Sequence, residues 1–196
     1  MISAVILAAG ISTRMGQPKM LMPWGGTTVL GQVISTLRSA GVEDITLVTN
    51  SNIAGRISLE VQTVLNDGGD MLLSLQLGLQ AQGPAAEATL VCLGDQPQIE
   101  SGSVRSVCDM FSQDRSGLVV PSYRMRRGHP WLIARALWGE IMHMDESRTM
   151  RDFLNEHSAD IRYVEVNSAS ILQDLDTPED YERYKPNSID NPPHNR

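Results

Sequence analysis

Aromatic residues are scarce in this 196-residue chain, at 5% of the sequence, so little of its core volume can come from rings. Ten methionines and a large aliphatic complement take that place, with Met filling irregular gaps. Cysteine is nearly absent. Cys92 and Cys108 sit at apolar phases of their segments, without CxxC spacing, which excludes a disulfide framework and a structural zinc site of the usual spacing. No run approaches the ~18–20 apolar residues of a membrane span. The opening MISAVILAAG has no basic stretch and no separate cleavage site, so neither a secretory leader nor a membrane association is expected, and the expected location is cytoplasmic. Positive charge is also in short supply: 16 Lys and Arg against 23 Asp and Glu leave a net charge of -7. Such a balance disfavours a nucleic-acid surface.

What is present is an alternation of apolar strands and amphipathic helices. Residues 2–7, 45–49, 61–65, 89–93, 117–121 and 161–166 read as strands. Helices are expected from Thr27 to about Gly41, along Leu72, Leu75 and Leu79, over 101–112, over 134–142, over 148–156 with Ser147 as N-cap, and after Thr177-Pro178. The entirely apolar 89–93 strand is expected at the centre of a parallel sheet. Residues 122–133, SYRMRRGHPWLI, read as a turn or hairpin near the sheet edge. Alternating strands and helices imply an α/β fold of three layers around a mostly parallel sheet. One domain is expected over residues 1–185, with a polar, proline-rich tail at 186–196 expected to be disordered.

In such sheets ligands bind beyond the carboxyl ends of the strands. The unusual residues of this chain cluster at those ends. After the first strand comes LAAGISTRMGQPK, in which glycines allow close backbone approach and Arg14 and Lys19 can neutralise phosphate charge. Two familiar phosphate loops are excluded by spacing. Gly10 and Gly16 are separated by five residues and Gln17 follows, which is not a P-loop; Ser12 stands where a dinucleotide loop needs its second glycine. Asp95 follows the fourth strand in Gly94-Asp95-Gln96-Pro97, where it is either a turn aspartate or a ligand of a hard cation. Asp174 and Asp176 precede Thr177-Pro178 and share one side of an extended segment. Either could serve a cation, and Asp176 could instead cap the following helix. Arg124, Arg126, Arg127 and His129 form a local basic patch suited to phosphate or to solvent.

The string Leu7-Ala8-Ala9-Gly10-x-Ser12-x-Arg14-Met15-Gly16-x-x-Lys19 resembles the signature of the MobA-like nucleotidyltransferases, and more narrowly their molybdenum cofactor cytidylyltransferase (MocA-like) branch. Gly94-Asp95-Gln96-Pro97, Arg127-Gly128-His129-Pro130 and Asp174-Leu175-Asp176-Thr177-Pro178-Glu179-Asp180 extend the likeness over about residues 2–184.

The resemblance implies a three-layer, Rossmann-like nucleotidyltransferase fold. It implies transfer of CMP from CTP to molybdopterin with release of pyrophosphate. By the same likeness, Leu7, Ala8, Ala9, Gly10, Ser12, Arg14, Lys19, Gly94 and Asp95 would bind the nucleotide, with Arg14, Lys19 and Asp95 catalytic. Mg²⁺ would be held by Asp95 with Asp176, or with Asp174. Arg127, His129 and Ser74 would face the acceptor, although Ser74 could equally bond a backbone carbonyl. Asp70 stands where the family's acceptor-side segment has glycine before Met71.

Alanine at position 9, in LAAG, implies CTP, since guanylyl-transferring relatives tend to carry LAGG. Guanylyl transfer from GTP, transfer to another phosphate acceptor, and non-catalytic delivery of the cofactor to a molybdoenzyme client are the alternatives. An oxidoreductase is disfavoured by the absent dinucleotide loop.

Overall fold

The computed structural model describes residues 1–10, 15–58 and 60–186. In chain order, strand β1 (Ile2–Ala8) leads through a turn at Lys19–Leu21 to a small ribbon, β2 (Pro23–Trp24) and β3 (Thr27–Thr28). Helix α1 (Val29–Ser39) follows, then β4 (Ile45–Thr49), the single turn α2 (Ser51–Ala54), β5 (Gln62–Leu65), α3 (Met71–Gln80) and β6 (Ala88–Leu93). The second half runs α4 (Ser101–Asp114), β7 (Leu118–Tyr123), β8 (Arg126–Arg127), β9 (Trp131–Ala134), α5 (Trp138–Met142), α6 (Met150–Glu156), β10 (Ile161–Glu165) and α7 (Pro178–Tyr184).

The main sheet has the order β10-β7-β9-β6-β1-β4-β5, with β8 paired to β7. All neighbours are parallel except around β9, which runs antiparallel to both β6 and β7, and in the β7–β8 hairpin. The carboxyl ends of β1, β4, β5, β6, β7 and β10 consequently share one edge. Strand β1 is apolar on both faces because both are covered. Its Ala4, Ile6 and Ala8 pack with α1 and α4 through Leu30, Leu37, Val107 and Phe111, and its Val5 and Leu7 pack with α3, α5 and α6 through Leu75, Ile141 and Phe153. Two helical layers thus enclose the sheet, as the alternating pattern implies.

Three local expectations need correction. Residues 131–134 do not lie at an edge: β9 is inserted between β6 and β7, where Leu132 and Ile133 are fully buried. The 88–93 strand is central, but only one of its two partners is parallel. A four-residue strand carries too little pattern to reveal direction or position. Helix α6 is capped by Thr149 rather than Ser147; Thr149 and Asp152 bond each other's backbone N–H in a capping box, while Ser147 is tied to Asp145. The cysteines are free, as expected, and burial pushes the Cys108 thiol up to about 11 and that of Cys92 higher still. No helix among the described residues is long and apolar enough to cross a membrane.

Candidate active site

At the shared carboxyl edge lies a cleft of about 270 Å³ lined by Leu7, Ala9, Gly10, Lys19, Ser74, Asp95, Asp174 and Asp176, together with Met20, Gly69, Met71 and Leu93. Residues from five separated stretches converge here, around the adjacent ends of β1 and β6. Gly94 continues that ladder, its N–H donating to the Leu7 carbonyl at 3.0 Å. A side chain at position 94 would stand 2.9 Å from Ala8 Cβ and 3.0 Å from Met20 Sδ. Only glycine lets the chain turn this closely and swing Asp95 over the end of β1.

Asp95 and Lys19 form the centre of the cleft. Lys19 Nζ donates to Asp95 Oδ2 at 2.5 Å and to the Leu175 carbonyl at 3.1 Å, and lies 3.6 Å from Asp176 Oδ1. Both Lys19 and Asp95 are largely withdrawn from solvent. The Asp95 carbonyl in turn accepts from the Leu175 N–H at 3.1 Å. The segment after β10 therefore crosses the sheet edge as a strap and brings Asp174 and Asp176 to the same cleft. The Asp174 carboxylate accepts from Gln96 Nε2 at 2.5 Å. Desolvation raises the Asp174 pKa above the ordinary carboxylate value; the Gln96 bond opposes this, Asp95 and Asp176 add to it, and Lys19 partly relieves it. Asp176 is not the cap of α7: Thr177 caps it, in a reciprocal box with Asp180.

The carboxylates of Asp95, Asp174 and Asp176 at this cleft are the hard oxygen donors that a divalent cation takes. Among the described residues no three His, Cys, Asp or Glu side chains form a protein-only metal cage. Mg²⁺ does not need one, because it keeps waters and substrate phosphates and takes only one or two carboxylates. The donor set fits that mode.

The opposite wall is backbone. Thr49 Oγ1 donates to the Ala8 carbonyl and Asn50 Nδ2 to the Ala9 carbonyl, each at 3.1 Å. Ala8 and Gly94 stand behind the cleft surface, whereas Leu7, Ala9 and Gly10 form it. The Ser74 hydroxyl donates to the Asp70 carbonyl at 2.7 Å and accepts from Asn66 Nδ2 at 2.8 Å, so the backbone-bonding alternative is realised while Ser74 still borders the cleft. Asp70, in the place of the expected glycine, is the N-cap of α3.

Arg127 and His129 lie outside this set. Exposed Arg127 rests over the Tyr163 ring and reaches Asn155 at 3.4 Å. His129 stacks on Trp131, precedes a cis proline, and donates its backbone N–H to the Ile171 carbonyl of the strap. Burial pushes its imidazole down to about 4. Ser12 and Arg14 fall outside the described residues.

Sequence reasoning passed over Thr49, Asn50, Met20, Gly69 and Leu93. The Thr49-Asn50 pair had a legible signal, two polar residues at the carboxyl end of a buried strand. Met20 read as core filling, and the Leu175 backbone carries no side-chain signal at all.

The sequence matches the MobA-like NTP transferase domain over residues 4–161. It is 29% identical to a molybdenum cofactor cytidylyltransferase of Escherichia coli (strain K12), over 93% of this chain and 97% of that protein. It is 27% identical to a nicotine blue oxidoreductase of Paenarthrobacter nicotinovorans, over 91% and 93%. It is 29% identical to a molybdenum cofactor guanylyltransferase of Rhizobium meliloti (strain 1021), over 90% and 87%. The fold superposes on Rv0371c from Mycobacterium tuberculosis H37Rv with a TM-score of 0.83 at 29% identity, covering 93% and 96% of the two chains. On the complex of Rv0371C with manganese the TM-score is 0.78 at 27% identity, with the same coverage.

Proposed function

The chain belongs to the MobA-like NTP transferase domain family, and from that premise we propose that it transfers CMP from CTP to the terminal phosphate of molybdopterin, releasing pyrophosphate. The observation that carries this reading is the cleft itself: a cation, Lys19, gripped among Asp95, Asp176 and the strap, opposite the backbone of Ala9 and Gly10. Such a site supplies charge and position rather than acid–base catalysis. No general base is needed, because a phosphate monoester has a second pKa of about 6 and is already an anion at neutral pH.

The acceptor oxygen forms a new bond to the α-phosphorus of the nucleotide. The bond to the β-phosphate oxygen breaks, and pyrophosphate leaves with its electron pair. Lys19, with Arg14, stabilises the charge that gathers on the leaving group. Asp95, with Asp176 or Asp174, holds Mg²⁺, which when bound supplies Lewis-acid stabilisation of phosphate oxygens. That the tuberculosis relative is described in complex with manganese supports a role for a divalent cation. Leu7, Ala9 and Gly10 meet the base, Ser12 belongs to the nucleotide loop, Gly94 lets Asp95 approach the end of β1, and Ser74 borders the acceptor side; Arg127 and His129, which stand away from the cleft lining, take no part in this reading.

Guanylyl transfer is the second reading, favoured by the equal identity to the guanylyltransferase relative. Ala9 supports CTP, since its Cβ sets how near the backbone comes to a base edge. The experiment is pyrophosphate release from each nucleoside triphosphate, with and without molybdopterin and Mg²⁺. CTP-dependent release requiring both is the expected result; preference for GTP overturns the cytidylyl assignment, and release from neither overturns catalysis in favour of cofactor delivery to a molybdoenzyme. Asp95→Ala should lower turnover at least about 100-fold with the fold intact, a loss typical of removing one charge-stabilising group. An active Asp95→Ala variant removes Asp95 from the mechanism.

A further inference from the structure

The two carbonyls at the end of β1 are held from outside the cleft. Ala8 accepts from Thr49 Oγ1, a fully buried hydroxyl, and Ala9 accepts from Asn50 Nδ2, both at 3.1 Å. Asn50 is itself fixed at its other end: its Oδ1 caps α2 by accepting from the Ile53 N–H at 3.0 Å. The next residue is clamped as well, since Asp67 accepts from the Ser51 N–H at 2.7 Å and from its hydroxyl at 2.8 Å. Those bonds hold the Asp67 carboxyl below its ordinary pKa, so the clamp is ionised throughout the neutral range. Gly69 borders the same cleft in a left-handed conformation (φ +71°), and a Cβ built there would make ordinary contact, at 3.6 Å, with the Ala9 carbonyl. The Ala9 carbonyl therefore already accepts one hydrogen bond, from Asn50.

We infer that Asn50 is a specificity-positioning residue: by engaging the Ala9 carbonyl it makes the backbone floor of the nucleotide cleft poor in acceptors, which selects a cytosine over a guanine. The inference rests on the nucleotidyl-transfer reading of this cleft. Its chemistry is that of the base edges. Guanine presents two neighbouring donors, N1–H and the N2 amino group, which need acceptors from the protein. Cytosine presents O2 and N3, which need donors, with one amino group beside them. With one lone pair of the Ala9 carbonyl already taken, guanine's two neighbouring donors compete for the other, and a buried donor left unmatched is costly. Released from Asn50, the Ala9 carbonyl offers both lone pairs and so becomes a better partner for guanine.

The test separates the Nδ2 donor from the capping role. Asn50→Asp and Asn50→Ser both keep a good helix cap, so both should fold with melting temperatures near that of the parent. Both lose the amide donor to Ala9. Binding of CTP and of GTP is measured by calorimetry with Mg²⁺ and no acceptor, followed by kcat and KM with each nucleotide. The parent is expected to prefer CTP. The variants should shift the CTP-to-GTP affinity ratio toward GTP by about fivefold to tenfold, the size of one hydrogen bond. That shift should appear in KM far more than in kcat. Asn50→Gln, which restores the amide group, should recover part of the parental ratio. Unchanged ratios in Asp and Ser variants overturn the role of Asn50 while leaving the cleft's nucleotide reading intact. A parent that prefers GTP overturns the polarity argument, and a parent that binds neither nucleotide overturns both readings together.

Discussion

At the residue scale, the candidate site works by consuming side-chain freedom before any ligand arrives. Lys19 is anchored by a carboxylate, a backbone carbonyl and a second carboxylate, so little rotamer entropy remains to be lost on meeting phosphate. His129 illustrates the opposite case of a titratable group silenced by its setting. Its imidazole lies against Trp131, and burial pushes its pKa from 6.5 down to about 4. The folded protein therefore refuses a proton that the unfolded chain accepts between those values, and stability must fall as pH drops through that window. The expected loss is on the order of 2 kcal/mol between pH 7 and pH 4.5, read by urea denaturation across the range. Exposed carboxylates with lowered pKa, such as Asp114, Asp152 and Glu165, add to acid lability only at still lower pH. A His129 ring resonance that titrates near 6.5 in the folded protein would contradict this account.

At the element scale, the decisive piece is the strap between β10 and α7. It has only a short turn of helix at Ala169–Leu172, yet it is tied to β6 through Leu175 and Asp95, to the Lys19 turn, and to the loop before β9 through Ile171 and His129. Gly128 makes the last tie possible: a Cβ there would lie 2.3 Å from the Ile171 carbonyl. Backbone cannot yield as a flexible side chain does. Gly128→Ala should cost about 1–3 kcal/mol, in the range of an overpacked core, and lower the melting temperature by about 3–10 °C. Since the strap carries Asp174 and Asp176, turnover should fall with it. A variant with unchanged melting temperature would show that the strap is held elsewhere. Helix α7 closes the strap with a capping box and with Tyr181, whose hydroxyl donates to the Pro23 carbonyl at 2.6 Å.

At the scale of the whole molecule, the net charge of -7 is compatible with the proposed polyanion site because the charges are unevenly spread. The cation that matters is held at the strand ends, and part of the acid excess faces it across the cleft. Ligand binding should therefore be visible as global stabilisation. At about 100 times its dissociation constant a nucleotide adds about 2.7 kcal/mol, or about 5–11 °C in melting temperature for a chain of this size. Differential scanning fluorimetry with Mg²⁺ should show a larger shift for CTP than for GTP. Equal shifts would remove base selectivity, and no shift with any nucleoside triphosphate would remove the nucleotide site.

Much of this was readable before any coordinates. The buried strands announce themselves as continuous apolar runs, the helices as spaced leucines and valines, and Thr177-Pro178 as a helix start, because local burial and capping leave local patterns. Lys19 and Asp95 are marked by their places beyond strand ends, and Asp174 and Asp176 by the segment that precedes Thr177-Pro178. The sequence by itself determined the α/β alternation, the carboxyl edge as the candidate site and several of the side chains that line its cleft, Lys19 and Asp95 among them. Only the tertiary structure decided that β9 inserts antiparallel between β6 and β7, that Thr149 rather than Ser147 caps α6, and that Asp176 meets Lys19 instead of capping α7. It also decided that Asn50 bonds the Ala9 carbonyl at the cleft. These outcomes depend on strand pairing and on contacts between residues far apart in the chain, such as Lys19 with Leu175. Such contacts are backbone bonds as often as side-chain ones, and a backbone bond leaves no trace in the identity of the residue that makes it.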